Sequence, residues 1–348
     1  MTRRISCKLL LVAVAIFGVL FLSSVLSAQG RSDWALEHVK DVQERNTERL
    51  MAIDGVEGTA IGFNPNARLS VLVLLERPGV GGIPQELEGV PVHPIVTGKI
   101  YALKPPANKP GRPPKEPEEP VDPTARFDRP VPIGVSTGHP DITAGTIGCR
   151  VTDGTNVYAL SNNHVYANEN KAGIGEAVIQ PGTYDGGTVA NDTIGTLAAY
   201  EPITFDGSDN TIDAAIALSS TSLLGNATPS DGYGTPKSTT HAAYLNQPVK
   251  KYGRTTGLTK GRVYALNAVV NVGYDTGVAR FVNQIVISPG SFSAGGDSGS
   301  LVVFDGKGRD KAQDLKPIGL LFAGSSFVTI ANPIDLVLDR FGVDVDGQ

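Results

Sequence analysis

The stretch Gly295-Gly296-Asp297-Ser298-Gly299-Ser300-Leu301 crowds glycines around one serine, directly ahead of the apolar run Leu301–Phe304. Such a pattern suits a nucleophile on a sharp turn at the mouth of a strand. Glycine permits backbone conformations that other residues resist, so N–H groups can converge on one point. Converging N–H groups stabilise an oxyanion. A serine hydroxyl is a weak nucleophile and needs a base oriented by a third group. Two upstream stretches offer these partners. Ala159-Leu160-Ser161-Asn162-Asn163-His164-Val165 sets a histidine after a short apolar strand, and Asn210–Leu218 sets Asp213 at the entry of another. Each alone has a plainer explanation: a hairpin turn, a capping or surface histidine, a solvated strand end. Together, each at a strand boundary, they point to acyl transfer by Ser298, His164 and Asp213.

The chain order His, Asp, Ser is that of the chymotrypsin-type triad. An α/β-hydrolase elbow ends in glycine where this chain has Ser300, and needs a histidine after the serine, but none follows His241. A subtilisin order would use Asp213, His241 and Ser298, yet His241 has neither a helix signal nor a glycine beside it. At the triad motifs the chain resembles the trypsin-like (chymotrypsin-fold) serine peptidases, particularly their disulfide-poor bacterial branch, over residues 131–345. It departs from the animal enzymes at Val165, where they carry cysteine. Lys250–Gly257 also resembles the segment that opens the second barrel in bacterial members.

The resemblance implies two packed antiparallel β-barrels with the site between them, and a protein or peptide substrate. By position, the N–H groups of Gly296 and Ser298 would form the oxyanion hole, with Asp297 bracing the turn. The residue six before the nucleophile, Phe292, would form the base of the side-chain pocket beside Ser293. Phe322-Ala323-Gly324 would supply its wall. None of these is charged, so cleavage is expected after small or medium apolar residues such as Ala, Val or Leu. No histidine follows the serine, so the glutamate-selective pocket of some bacterial relatives is missing. This chemistry calls for no cofactor and no metal.

The elements around these residues fit that scheme. From Val131 onward, short apolar runs alternate with Gly, Asn and Asp turns without intervening helices, a mainly β pattern. Strands are expected at Gly145–Val151, Val157–Leu160, Ala177–Ile179, Ile194–Ala199, Ile212–Leu218, Val249–Tyr252, Gly261–Val272, Gln284–Ser288, Leu301–Phe304 and Ile318–Ala323. A helix is expected next, capped by Asn332, with Pro333 at its first position and its end before Gly342. Residues 31–104 read as a small α+β domain: a helix over Asp33–Met51, then strands at Thr59–Phe63, Leu69–Leu75, Val90–Val96 and Gly98–Leu103. An inhibitory partner of the catalytic part and a plain accessory domain are equally open for it.

Residues 105–130 form a linker, since ten of the 24 prolines fall between Pro105 and Pro132. Residues 1–28 read as a signal segment, with Arg3, Arg4 and Lys8 ahead of an apolar run and small residues at Ser27-Ala28. The chain is therefore expected to be secreted, or periplasmic at the cell envelope, with membrane association only if that segment stays uncleaved. Cys7 would leave with it, so Cys149 cannot form an intrachain disulfide and reads as a small buried apolar side chain. The same loss takes the net charge from −5 to −8, which argues against nucleic acid as a partner. Two alternatives to a general peptidase remain: a non-catalytic binding module on the same scaffold, and a protein that processes only itself.

Overall fold

The computed structural model describes residues 34–105 and 121–348. The expected signal segment and the middle of the proline-rich stretch lie outside the described residues. The protein is mainly β. Six strands, Pro248–Gly253, Gly257–Gly273, Val278–Ser288, Thr329–Pro333, Pro317–Gly324 and Leu301–Phe304, each pair antiparallel with the next, and the last pairs back with the first. Such a circuit removes strand edges that would otherwise be left unpaired. Its side chains feed two cores, one around Val270, Phe281, Val286 and Phe322, the other around Val249, Ile287, Phe292 and Val302.

A second sheet holds six antiparallel strands in the order Ala177–Ile179, Thr193–Tyr200, Ala215–Ser219, Val157–Ser161, Cys149–Thr152 and Asp344–Val345. A ribbon of Ser136–Thr137 and Gly145–Thr146 joins its edge through a bridge from Gly138 to Ile179. Leu301–Phe304 is buried throughout because it serves both halves. Leu301 and Val303 enter the core of the second sheet with Leu160, Val178 and Ile216, while Val302 and Phe304 turn into the ring. Cys149 lies fully buried in the second core, where the loss of solvent pushes its thiol pKa well up.

Residues 34–105 share a sheet with the ring. A helix at 34–51 covers strands Val56–Phe63, Leu69–Leu75 and Val90–Val96, and Val39, Val42 and Leu50 meet Val71 and Val73 in a core of their own. Val56–Phe63 pairs with the long strand Gly257–Gly273, and Leu72 and Leu74 point into the core around Phe281. The stretch therefore extends one twelve-stranded sheet instead of standing apart.

Other departures from expectation concern element ends. The linker ends early: Arg126 holds Asp192 at 2.5 Å, the Phe127 N–H donates to Gln180, and Arg129 donates to the Thr193 carbonyl. The expected strand Ile212–Leu218 begins only at Ala215. The hairpin Gly257–Gly273/Val278–Ser288 is longer than expected, which carries its tip, Tyr274–Gly277, toward the second sheet. Asn332 does not cap the following helix, Ile334–Phe341; it ends up inside a strand, and Pro333 occupies the cap position. Among the described residues no helix is long and apolar enough to cross a membrane.

Candidate active site

His164 sits on a single helical turn, Asn163–Tyr166, that follows strand Val157–Ser161 directly. Its Nδ1 lies 2.5 Å from Asp213 Oδ2, and its backbone N–H donates to Asp213 Oδ1 at 3.3 Å. Both residues are buried. A carboxylate against Nδ1 demands the ring proton there, which leaves Nε2 as an acceptor. That Nε2 is buried and has no hydrogen-bond partner.

Asp213 is fixed from three sides. Asn162 Nδ2 donates to its carbonyl at 2.7 Å. Asn332, from the ring, accepts from its N–H at 3.1 Å and donates to its carbonyl at 3.1 Å. The Tyr274 hydroxyl, at the hairpin tip, donates to Oδ2 at 2.9 Å, and its ring meets His164 edge-on at 5.9 Å. Burial, then the adjacent Asp213, push the Tyr274 pKa well up, so the phenol remains a donor.

Ser298 stands on the glycine turn ahead of Leu301. Gly296 and Gly299 take φ of +99° and +93°, a region that favours glycine. A Cβ on Gly299 would also fall 2.2 Å from both Ser161 Oγ and the Thr146 carbonyl, where the second sheet presses against the turn. Thr146 ties the halves together, its N–H donating to the Ser298 carbonyl at 2.7 Å and its Oγ1 to the Gly296 carbonyl at 2.9 Å. Asp297 is turned inward, accepting from the Thr255, Thr256 and Ala294 N–H groups and from the Thr256 hydroxyl. The fully buried Lys251 ammonium lies 3.3 Å from Asp297; burial lowers its pKa and Asp297 opposes that shift. Ser298 Oγ donates to the Phe322 carbonyl at 3.0 Å.

The expected pocket residues gather beside this turn in unequal roles. Phe292 is fully buried in the core with Val249 and Ile287, and Ser293 exchanges a 2.6 Å hydrogen bond with Thr329. Phe322 brings its carbonyl to the site. Its ring turns away onto Phe281, 4.8 Å between centroids, because side chains alternate along the strand. Ala323 and Gly324 offer their backbone edge, which is occupied: Ala323 pairs with Ala102 and Gly324 with Tyr101.

That occupant continues into the site. The Leu103 N–H donates to the Phe322 carbonyl at 3.2 Å, and the Leu103 carbonyl accepts from the Gly296 N–H at 2.6 Å. The Leu103 side chain packs against the core that holds Phe292. Beyond it, Lys104 pairs with Glu169 and, at 2.7 Å, with Asp275. Glu169 also accepts from the Thr276 N–H and hydroxyl. Burial raises the Glu169 pKa, but Lys104 and Thr276 outweigh it and hold the carboxyl at about 2.

Four features of the site escape a sequence reading: the segment around Leu103, Tyr274, Glu169 and the bridging role of Asn332. None has a local motif; each comes from an element remote in sequence. His241, the base of the subtilisin ordering, instead packs beside Tyr244 and Phe304. His139 pairs with Glu176 at 2.7 Å. Among the described residues no cluster of His, Cys, Asp and Glu suits a metal ion.

A family model described as the Nal1 C-terminal domain matches residues 237–330, a span that includes Ser298 but neither His164 nor Asp213. No curated protein matches the chain. Among solved structures, it is similar to a glutamic acid-specific serine protease described as using a histidine triad in substrate binding, at 22% identity over 62% of this chain and 100% of that one, with a TM-score of 0.44. Thermobifida fusca protease A aligns at 18% identity over 62% of this chain and 98% of its own, with a TM-score of 0.44. Cellulomonas bogoriensis chymotrypsin aligns at 20% identity over 64% and 100%, with a TM-score of 0.42.

Proposed function

We propose that this protein is an exported serine endopeptidase of chymotrypsin type. Ser298 Oγ attacks the scissile carbonyl carbon and passes its proton to His164 Nε2. The resulting oxyanion is met by the N–H groups of Gly296 and Ser298, and one such donor lowers a barrier of this kind by about 2.7–4 kcal/mol. His164 returns the proton to the leaving amine as the C–N bond breaks, and water, activated in the same way, hydrolyses the acyl-enzyme. Asp213 fixes the tautomer and stabilises the imidazolium. Before attack the serine hydroxyl must leave the Phe322 carbonyl and turn to His164.

The observation that carries this reading is the buried 2.5 Å pair of His164 Nδ1 and Asp213, with Nε2 left unpartnered. A surface or capping histidine has no reason to be desolvated, oriented by a carboxylate and still lack a bond on its other nitrogen. The side chains of Phe292, Ser293, Phe322 and Ala323 carry no charge, and the Lys251 ammonium 6.0 Å from the Phe292 ring centroid is already paired with Asp297, which supports cleavage after apolar residues. An organophosphonate probe should modify Ser298 alone, as located by peptide mass spectrometry. His164→Ala should slow that labelling by about 10⁴-fold or more. Labelling of the variant at the wild-type rate would remove His164 from the base role.

A further inference from the structure

Resting on the peptidase reading, we infer that the protein cleaves its own Leu103–Lys104 bond. The segment Ile100–Pro105 lies in the cleft as an extended peptide substrate would. Strand Ile100–Ala102 adds antiparallel to the Phe322–Gly324 edge, the mode by which a sheet edge captures an extended chain. Leu103 follows with its N–H on the Phe322 carbonyl and its carbonyl oxygen on the Gly296 N–H, which is the donor an oxyanion formed at Leu103 would use. Its side chain enters the apolar region of Phe292, and a Cβ on Gly324 would come within 3.3 Å of Leu103 Cδ1, so Gly324 forms a close wall. Leucine is one of the residues that an uncharged pocket selects.

The leaving side is held as well. The Lys104 ammonium is clamped by Glu169 and Asp275, and its carbonyl passes so near Gly295 that a Cβ there would fall 2.2 Å from it. The chain bends at Leu103 through a hydrogen bond from the Lys104 N–H to the Ala102 carbonyl at 2.9 Å, which sets the bond at the apex of the bend. In the reaction, Ser298 Oγ bonds to the Leu103 carbonyl carbon and its proton goes to His164. The Leu103–Lys104 C–N bond then breaks as His164 protonates the Lys104 nitrogen. Water releases a Leu103 carboxylate and restores the Ser298 hydroxyl.

Intact-mass analysis of the purified full chain over time tests this. The expected result is a fragment beginning at Lys104, formed at a rate independent of protein concentration. It should be absent in Ser298→Ala and slowed at least about tenfold in Leu103→Arg, which buries a charge in the apolar pocket. Organophosphonate labelling of Leu103→Arg at Ser298 shows that this variant is folded. If wild-type protein is labelled and cuts an added leucine peptide while its own 103–104 bond stays intact, the inference fails and the peptidase reading stands. If Ser298 is not labelled and no peptide is cut, the peptidase reading fails first. Cleavage at that bond in Ser298→Ala overturns the inference.

Discussion

Two strands from residues 34–105 add to the same long strand, Gly257–Gly273, and they differ in what holds them there. Val56–Phe63 pairs along most of its length and is backed by a neighbouring strand, a helix and a core of its own. Ile100–Ala102 is three residues long and meets that strand only at Val272 and Gly273, with Ala323 and Gly324 on its other side. Its middle side chain, Tyr101, is 53% exposed. The first strand is held by buried apolar surface on both faces. The second is held by the single large side chain Ile100, buried beside Phe281 and Phe322, and then by backbone hydrogen bonds, the Leu103 side chain and the ionic clamp on Lys104. Burial secures the one along its length, whereas the other has one deep anchor, Ile100, ahead of a stretch held mainly by hydrogen bonds and ions.

Leu72→Ala attacks the well-backed part and should have the largest effect. Leu72 is fully buried in the core that also contains Phe281 and Phe322, so its truncation should cost about 2–5 kcal/mol, read from urea unfolding. A single transition shifted to lower urea is expected; a separate early transition with the main one unmoved would make residues 34–97 an independent unit. Glu169→Gln, made in the Ser298→Ala chain so that the 103–104 bond stays whole, attacks the clamp. A hydrogen bond to a charged group contributes about 1.5–3 kcal/mol, so loss of the Lys104 pairing should raise amide exchange at Tyr101 and Leu103 roughly tenfold or more. The amides of Val56–Phe63 should not change.

Acid should imitate that variant. The Glu169 pKa is depressed to about 2 from 4.5, so its stabilisation is complete above about pH 4.5 and is lost as the pH falls toward 2. Protection of the Leu103 amide measured at pH 5 and pH 2.5 should show the loosening in Ser298→Ala and a smaller change in the Ser298→Ala, Glu169→Gln double variant. Tyr101→Ala should do least, within about 0.5 kcal/mol of wild-type stability, because that side chain is mostly in solvent. A large loss would mean the short strand owes its place to Tyr101 and not to its backbone.

Much of this was legible from residue types. The serine turn could be read because a positive φ favours glycine, and at Gly299 the close approach of Ser161 and Thr146 leaves no room for a Cβ. The strands could be read from their apolar runs. Even Gly98–Leu103 was visible as a short strand. Its partners were not, since Val272 and Ala323 lie about 170 and 220 residues away, and pairing over such distances leaves no periodic trace. Asn332 was misread for a related reason: Asn-Pro ahead of an apolar helix is a favourable cap, and only the approach of Asp213 makes its side chain more useful elsewhere. Tyr274 lay in a turn that the expected strand ends left between elements, because polar Arg280 and Asn283 interrupt the apolar run of the returning strand.

The place of Ile100–Ala102 also bears on how the protein behaves in concentrated solution. Leu301–Phe304 and the serine turn before it bond to Pro317–Gly324 only as far as Leu321, so the edge beyond that point is covered by residues 100–103. An uncovered strand edge joins other chains without regard to their sequence. Molecules that keep the cover should stay single at high concentration, while those that lose it should scatter more light as they are concentrated. An added apolar peptide that occupies the edge should reverse the scattering.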